Sequence, residues 1–428
     1  MPDRRRRPVF DVRDFGATGD GTQSDTDAIR RAVVEASREH GVVRFTPGRY
    51  LAGTVALRSG VTVVVESGAT VLGSRRPVDF QPVDQLPYPT YADHETSDFR
   101  NGLFVGDDLS EVTITGAGTI DMQFDTRFGP KPIALRRCVG VEVSGITIRN
   151  APNYCVSFGA CDDVLVESVT IRDGFSDGID PDSCRHVRVI DCDIESDDDA
   201  LCLKSSLILG EPRACEDVVV RGCRLNSPSN GFKIGTETSG DVRDVDVADC
   251  RILGTPRPGA DPLGLLSAQE GGGVAIESVD GAHVTDVNIR DVVVEGCDVP
   301  IFIRLGARGR GQDVPRAGVL RRVTISRLTA VGAADACTIS GIPGHHVEDV
   351  TLSAISSQTA PRAAPPRDPP PERVADYPQA GMFGPLPASG VYARHVKGLR
   401  LQGVDVVVTN GDVRPQVVTD DVMDLVVE

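Results

Sequence analysis

The chain has 428 residues, no tryptophan, and aromatic residues at only 4% of its composition. So few rings argue against a long groove of stacking platforms for a neutral polysaccharide. No run approaches the roughly 18 apolar residues of a membrane-spanning helix. The N-terminal string MPDRRRRPVF lacks the apolar stretch of a secretory leader. The eleven cysteines are odd in number and never form a CxxC pair, which disfavours zinc ribbons and a closed disulfide framework. Ser-His-Asp sets, phosphate loops and His-rich metal signatures are also missing. The expectation is a reduced, cytoplasmic protein without metal, cofactor or membrane partner. Basic residues are outnumbered, 45 against 62, for a net charge of −17. A broad nucleic-acid or anionic-membrane interface is excluded by that balance.

What is present is a repeat. Short alternating apolar segments recur at Val112–Ile114, Val141–Val143, Val164–Val166, Val187–Val189, Val218–Val220, Val245–Val247, Val287–Ile289 and Val323–Ile325. Val141, Val164 and Val187 are 23 residues apart, and Gly, Asn or Asp separates the segments. Short strands at such a period predict a solenoid, here an all-β parallel β-helix. The expectation is one domain over residues 1–428. Each coil buries almost nothing alone; stacked coils share a continuous core. Cys192, Cys223, Cys250 and Cys297 fall at similar offsets after the first strand of a coil. An inward ladder of small thiols explains them, with a redox or metal role as the alternative.

One helix is predicted, over residues 24–41. Ala28, Ile29, Ala32, Val33 and Ala36 share a stripe, with Ser24 or Asp25 to cap it and Gly41 to end it. It is read as the N-terminal cap of the solenoid. Residues 356–390 are too rich in proline for strands. This excursion is expected to be mobile or packed over one face, and Tyr377, Met382 and Phe383 favour packing for its second half.

Acidic residues concentrate in SDGID, which contains Asp177, and in SDDDALCLKS, which contains Asp198 and Asp199. Their spacing is close to one coil, so the three carboxylates are expected on one wall. The next coil brings Asn230, Lys233 and Glu237. Clustered carboxylates divide into protonated and ionised members, the division that glycosidic cleavage needs. Turn capping by aspartate and a calcium site are the alternatives. Lys204, Lys233 and Arg304 are expected to grip an acidic sugar, whereas Arg308 and Arg310 also read as surface charge. Tyr154 and Phe232 serve equally as sugar platforms or as packing.

The string SDGIDPDSCRHVRVIDCDIESDDDALCLKSS resembles the active-site stretch of glycoside hydrolase family 28, the polygalacturonases and rhamnogalacturonan hydrolases. The likeness extends from VFDVRDFGATGDGTQSDTDAI to NGFKIGTETSGDVRDV. It implies a right-handed parallel β-helix and inverting hydrolysis without metal. By resemblance Asp198 is the general acid, and Asp177 and Asp199 hold and activate water. The family's Asn-Thr-Asp motif falls on Phe175, Ser176 and Asp177. Its Gly-His-Gly motif reads Ser229, Asn230 and Gly231, without the histidine. Its Arg-Ile-Lys motif reads Phe302, Ile303 and Arg304, with one cation of two. Together these readings imply an exo-acting hydrolase of pectin-type, uronic-acid-containing oligosaccharides. A calcium-assisted β-helix lyase and a non-catalytic carbohydrate-binding solenoid are the rivals.

Overall fold

The computed structural model describes residues 7–255, 271–362, 364–366 and 368–428. They form two compact units, Met1–Pro87 with Asp93–Ile194, and Tyr88–Ala92 with Glu195–Glu428.

In the first unit the period of 23 is one turn of the chain. The strands Val139–Ser144, Asp162–Glu167 and Arg185–Ile190 pair in parallel, with Val141, Val164 and Val187 in register. Thr147–Ala151 likewise lies on Thr170–Gly174, and Val156–Gly159 on Ile179–Asp182. Three strands per coil stack on three strands of the next, as in a right-handed parallel β-helix. Alternation does the sorting: Val141, Val143, Val164 and Val166 point inward and are buried.

The helix spans Thr26–Arg38 and buries Ala28, Ile29, Ala32, Val33 and Ala36 as predicted. It packs against the strands Val9–Asp11, Val42–Phe45 and Val55–Ala56. The Gly41 amide donates to the Ala36 carbonyl at 2.8 Å, which ends it where expected. Its start differs from the expected cap. Asp25 occupies the N-cap position, but its carboxylate accepts from the amides of Thr18 and Gly19 instead.

The second unit continues the same text with longer strands. Val242–Leu253, His283–Glu295, Val319–Ala333 and Val347–Thr359 pair in parallel along their lengths. A second row runs Leu201–Ser205, Asn230–Thr238, Gly272–Ser278, Val299–Leu305 and Cys337–Ser340. The chain turns at residues with positive φ, many of them aspartates: Asp217, Asp244, Asp249, Asp286, Asp291 and Asp349. Aspartate tolerates this conformation better than most side chains. Much of the acidic excess is therefore corner chemistry.

All eleven cysteines are buried, and none forms a disulfide among the described residues. Cys138 and Cys161 donate their amides to the sulfurs of Cys161 and Cys184, one coil on. A neighbouring Cys223 and burial push the Cys250 thiol up. These are core rungs. The proline-rich segment also packs. Its Ala380, Met382, Phe383, Leu386 and Ala388 join Ala275, Val299 and Phe302 in one apolar cluster.

Candidate functional site

In the first unit, Asp177 precedes the strand Ile179–Asp182 and is buried. Its carbonyl accepts the Cys155 amide at 3.0 Å. The preceding Ser176 donates through Oγ to Glu95 Oε1 at 3.1 Å, and Arg127 in turn grips Glu95, with Nη2 2.7 Å from Oε2. This ion pair pins the backbone that carries Asp177. Tyr154 is enclosed rather than presented to a sugar. Its hydroxyl lies 3.1 Å from Thr96 Oγ1 and its ring centroid 5.0 Å from Lys131 Nζ. The packing alternative holds for Tyr154, and equally for the fully buried Phe232 of the second unit.

In the second unit, Asp198 and Asp199 sit on the turn into the strand Leu201–Ser205. Neither belongs to the positive-φ corners, which separates them from the turn-making aspartates. Two hydroxyls fix this turn: Ser196 Oγ donates to the Asp198 carbonyl at 3.1 Å, and Ser227 Oγ donates to the same oxygen. Asp198 is half-buried on the wall of a cavity of about 190 Å³, lined also by Ser229, Asn230, Lys233, Tyr377, Pro378, Gln379 and Ala380. Asp199 is buried behind it. One of its oxygens accepts from Asn230 Nδ2 at 2.6 Å and from Ser229 Oγ at 3.2 Å. The other lies 3.0 Å from Lys233 Nζ. Every one of these contacts is a donation to the carboxylate.

Register explains the convergence. Cys202, Lys233, Ala275 and Phe302 are successive partners across the strands, so Lys233 projects from the rung next to Asp199. Burial pulls the Lys233 ammonium down. The charges of Asp199, Tyr377 and Glu277 outweigh it and hold that group well above the ordinary lysine value.

Glu277 is the residue that sequence reasoning missed. It is fully buried on the strand Gly272–Ser278, and Thr236 Oγ1 lies 3.2 Å from its Oε2. It fits because Gly235, at φ +120°, has no side chain: a Cβ there would meet Glu277 Oε2 at 2.9 Å. Burial raises its carboxyl to about 7; Lys233 opposes the rise and Asp199 adds to it. The one sequence signal is a glutamate inside GGVAIES, an otherwise buried strand.

The expected cations divide. Lys233 binds Asp199 directly. Lys204 is buried on the strand Leu201–Ser205. Glu237 is buried and pairs with Arg310, whose Nη1 lies 3.2 Å from Oε1. Arg308 pairs with Asp280 and stands 5.7 Å from the Tyr377 ring.

Arg304 departs from its expected role as a substrate grip. It is 1% exposed, and burial pulls its guanidinium pKa down to about 10. Nη1 donates to Ser340 Oγ and the Gly341 carbonyl, both at 2.8 Å, and Nη2 to the carbonyls of Glu372 and Arg373. Its guanidinium ties the proline-rich segment down.

The family model described as Glycosyl hydrolases family 28 matches residues 89–258, the stretch that carries Asp177, Asp198, Asp199 and Asn230. Over that stretch the chain is similar to that family.

A second model, Rhamnogalacturonase A/epimerase, pectate lyase-like, matches residues 9–133. A probable polygalacturonase of Vitis vinifera is 26% identical over 379 residues, 82% of this chain and 74% of the plant protein. Among solved structures, a family 28 exopolygalacturonase of Yersinia enterocolitica superposes with a TM-score of 0.76 at 14% identity. That match covers 98% of this chain and 78% of that one. An exopolygalacturonase of Thermotoga maritima gives 0.68 at 22% identity, over 83% and 87% of the two chains. These structural likenesses carry the fold. The likeness also overturns the expected cytoplasmic location: polygalacturonases of family 28 are characteristically secreted and act on cell walls.

Proposed function

We propose that this chain is a family 28-type glycoside hydrolase that releases terminal units from pectin-type, uronic-acid-containing oligosaccharides, with inversion at the cleaved carbon. The observation that carries the exo reading is the cavity. At about 190 Å³ it is smaller than the 300–1,000 Å³ of ordinary ligand pockets, so it suits one sugar and not a run of them. Residues 377–380 of the proline-rich segment form one of its walls.

Asp198, on the cavity wall, is assigned as the acid that protonates the leaving oxygen. Asp199 is assigned, with Asp177, to hold and activate the water. The three donors on Asp199 support that assignment, because they fix its oxygens before substrate arrives. Asn230 stands where the family has histidine and serves as an Asp199 positioner. An acidic oligosaccharide is the partner, with Lys233 the cation on the cavity wall.

The experiment is digestion of a panel of pectic oligosaccharides with product sizing. Early release of single units from every length supports exo action. Early intermediate-length products contradict it. An unsaturated product lost with chelator would indicate lyase chemistry instead.

A further inference from the structure

We infer that His346, His395 and Asp421 form a binding site for one divalent transition ion of the zinc class, apart from the hydrolytic residues. His395 Nδ1 lies 2.7 Å, and His346 Nε2 3.0 Å, from the same Asp421 oxygen. The three ligating atoms lie within 4.8 Å of one another. Ligand atoms around a tetrahedral zinc, with bonds of about 2.0–2.1 Å, stand roughly 3.3 Å apart, so small side-chain adjustments admit the ion.

The other face of His395 strengthens the case. Its Nε2 lies 3.1 Å from Glu372 Oε2, and Arg394 pairs with Glu372. With Nε2–H donated to Glu372, Nδ1 is the ring nitrogen that faces the Asp421 oxygen, and a second imidazole nitrogen converges on that same oxygen. One metal ion there takes the place of the ring protons that otherwise make these two contacts. A carboxylate behind a metal-bound histidine is the usual outer partner in such sites.

The backbone is shaped for this cluster. Ser340, Arg394 and Asp420 are in register, as are Val347, Val396 and Val422. Between those two rungs one coil turns with His395 alone and the next with Asp421 alone, both at positive φ. The preceding coil spends residues 341–346 on the same corner, folded by paired Ile342 and His345. That extra loop is what brings His346 over His395, their ring centroids 6.1 Å apart. His346 and Asp421 remain partly open to solvent, which gives an ion access. Imidazole and carboxylate together favour zinc, nickel or copper over calcium and magnesium. Because the strand Val417–Met423 is largely exposed, such a bond would fasten it to the two preceding corners.

The test is calorimetric titration of the chelator-treated full chain with zinc chloride, beside thermal unfolding with and without zinc. The expected result is one saturable zinc per chain and a melting temperature that rises with zinc concentration. His346→Gln, on its surface loop, abolishes both effects, and Glu372→Gln weakens affinity about 10- to 100-fold. Absence of saturable binding overturns the inference. Undiminished binding by His346→Gln, or equal binding of calcium at this site, also overturns it.

Discussion

Lys233 and Asp199 form an ion pair with both side chains removed from water: Nζ lies 3.0 Å from Oδ2, and the side chains are 6% and 5% exposed. Removing one partner strands the other as a buried charge. Lys233→Met is therefore expected to cost about 3–5 kcal/mol of folding stability. Chemical denaturation checks this, and a loss below about 1 kcal/mol would show that Asp199 is held by other groups. The variant should also lose activity, because Asp199 loses its charged donor while those from Asn230 and Ser229 remain.

Glu277 makes stability depend on pH. Its carboxyl is raised from 4.5 to about 7, so between those values the folded chain keeps a proton that the unfolded chain has released. The contribution is whole below about pH 4.5, falls as pH rises, and is gone above about 7. It amounts to about 3 kcal/mol. Glu277→Gln should flatten this decline. Stability curves of the two proteins that run parallel from pH 5 to 7.5 would contradict it.

How much of this was legible in the sequence depends on what each residue's signal required. The β-helix followed from alternation and a 23-residue step, both local properties of the text. Asp198, Asp199, Asn230 and Lys233 were expected together because one coil of spacing implies adjacency in a solenoid, and their side chains do converge. Glu277 was hidden, since its place exists only through the missing side chain of Gly235, a coil away. Arg304 was misassigned because the carbonyls of Glu372 and Arg373 that claim it come from the proline-rich segment, whose packing no periodicity predicts. Tyr154 read equally as platform or packing until its partners Thr96 and Lys131 were placed.

Tyr377 stands half-exposed on the cavity wall, its ring 5.8 Å from Lys233 Nζ. Tyr377→Ala should open that wall. A lost ring contact of about 1 kcal/mol raises KM roughly fivefold while kcat changes little. Chromatography of early products should then show units longer than one sugar. An unchanged product profile would remove Tyr377 from the exo reading.

Arg304 separates structural from binding cations. Arg304→Lys leaves acceptors among Ser340, Gly341, Glu372 and Arg373 without donors. A loss of about 2 kcal/mol in stability is expected, with KM for acidic oligosaccharides unchanged. A tenfold rise in KM at full stability would return Arg304 to the substrate.

The most direct test of the central claim is anomer-resolved NMR of the first product released from an acidic pectic oligosaccharide, run on the wild type and on Asp198→Asn. The account predicts a product of inverted configuration from the wild type. It also predicts a rate about 10²–10⁴-fold lower in the variant, with binding retained. Retained configuration, an unsaturated product, or full activity in Asp198→Asn would contradict it.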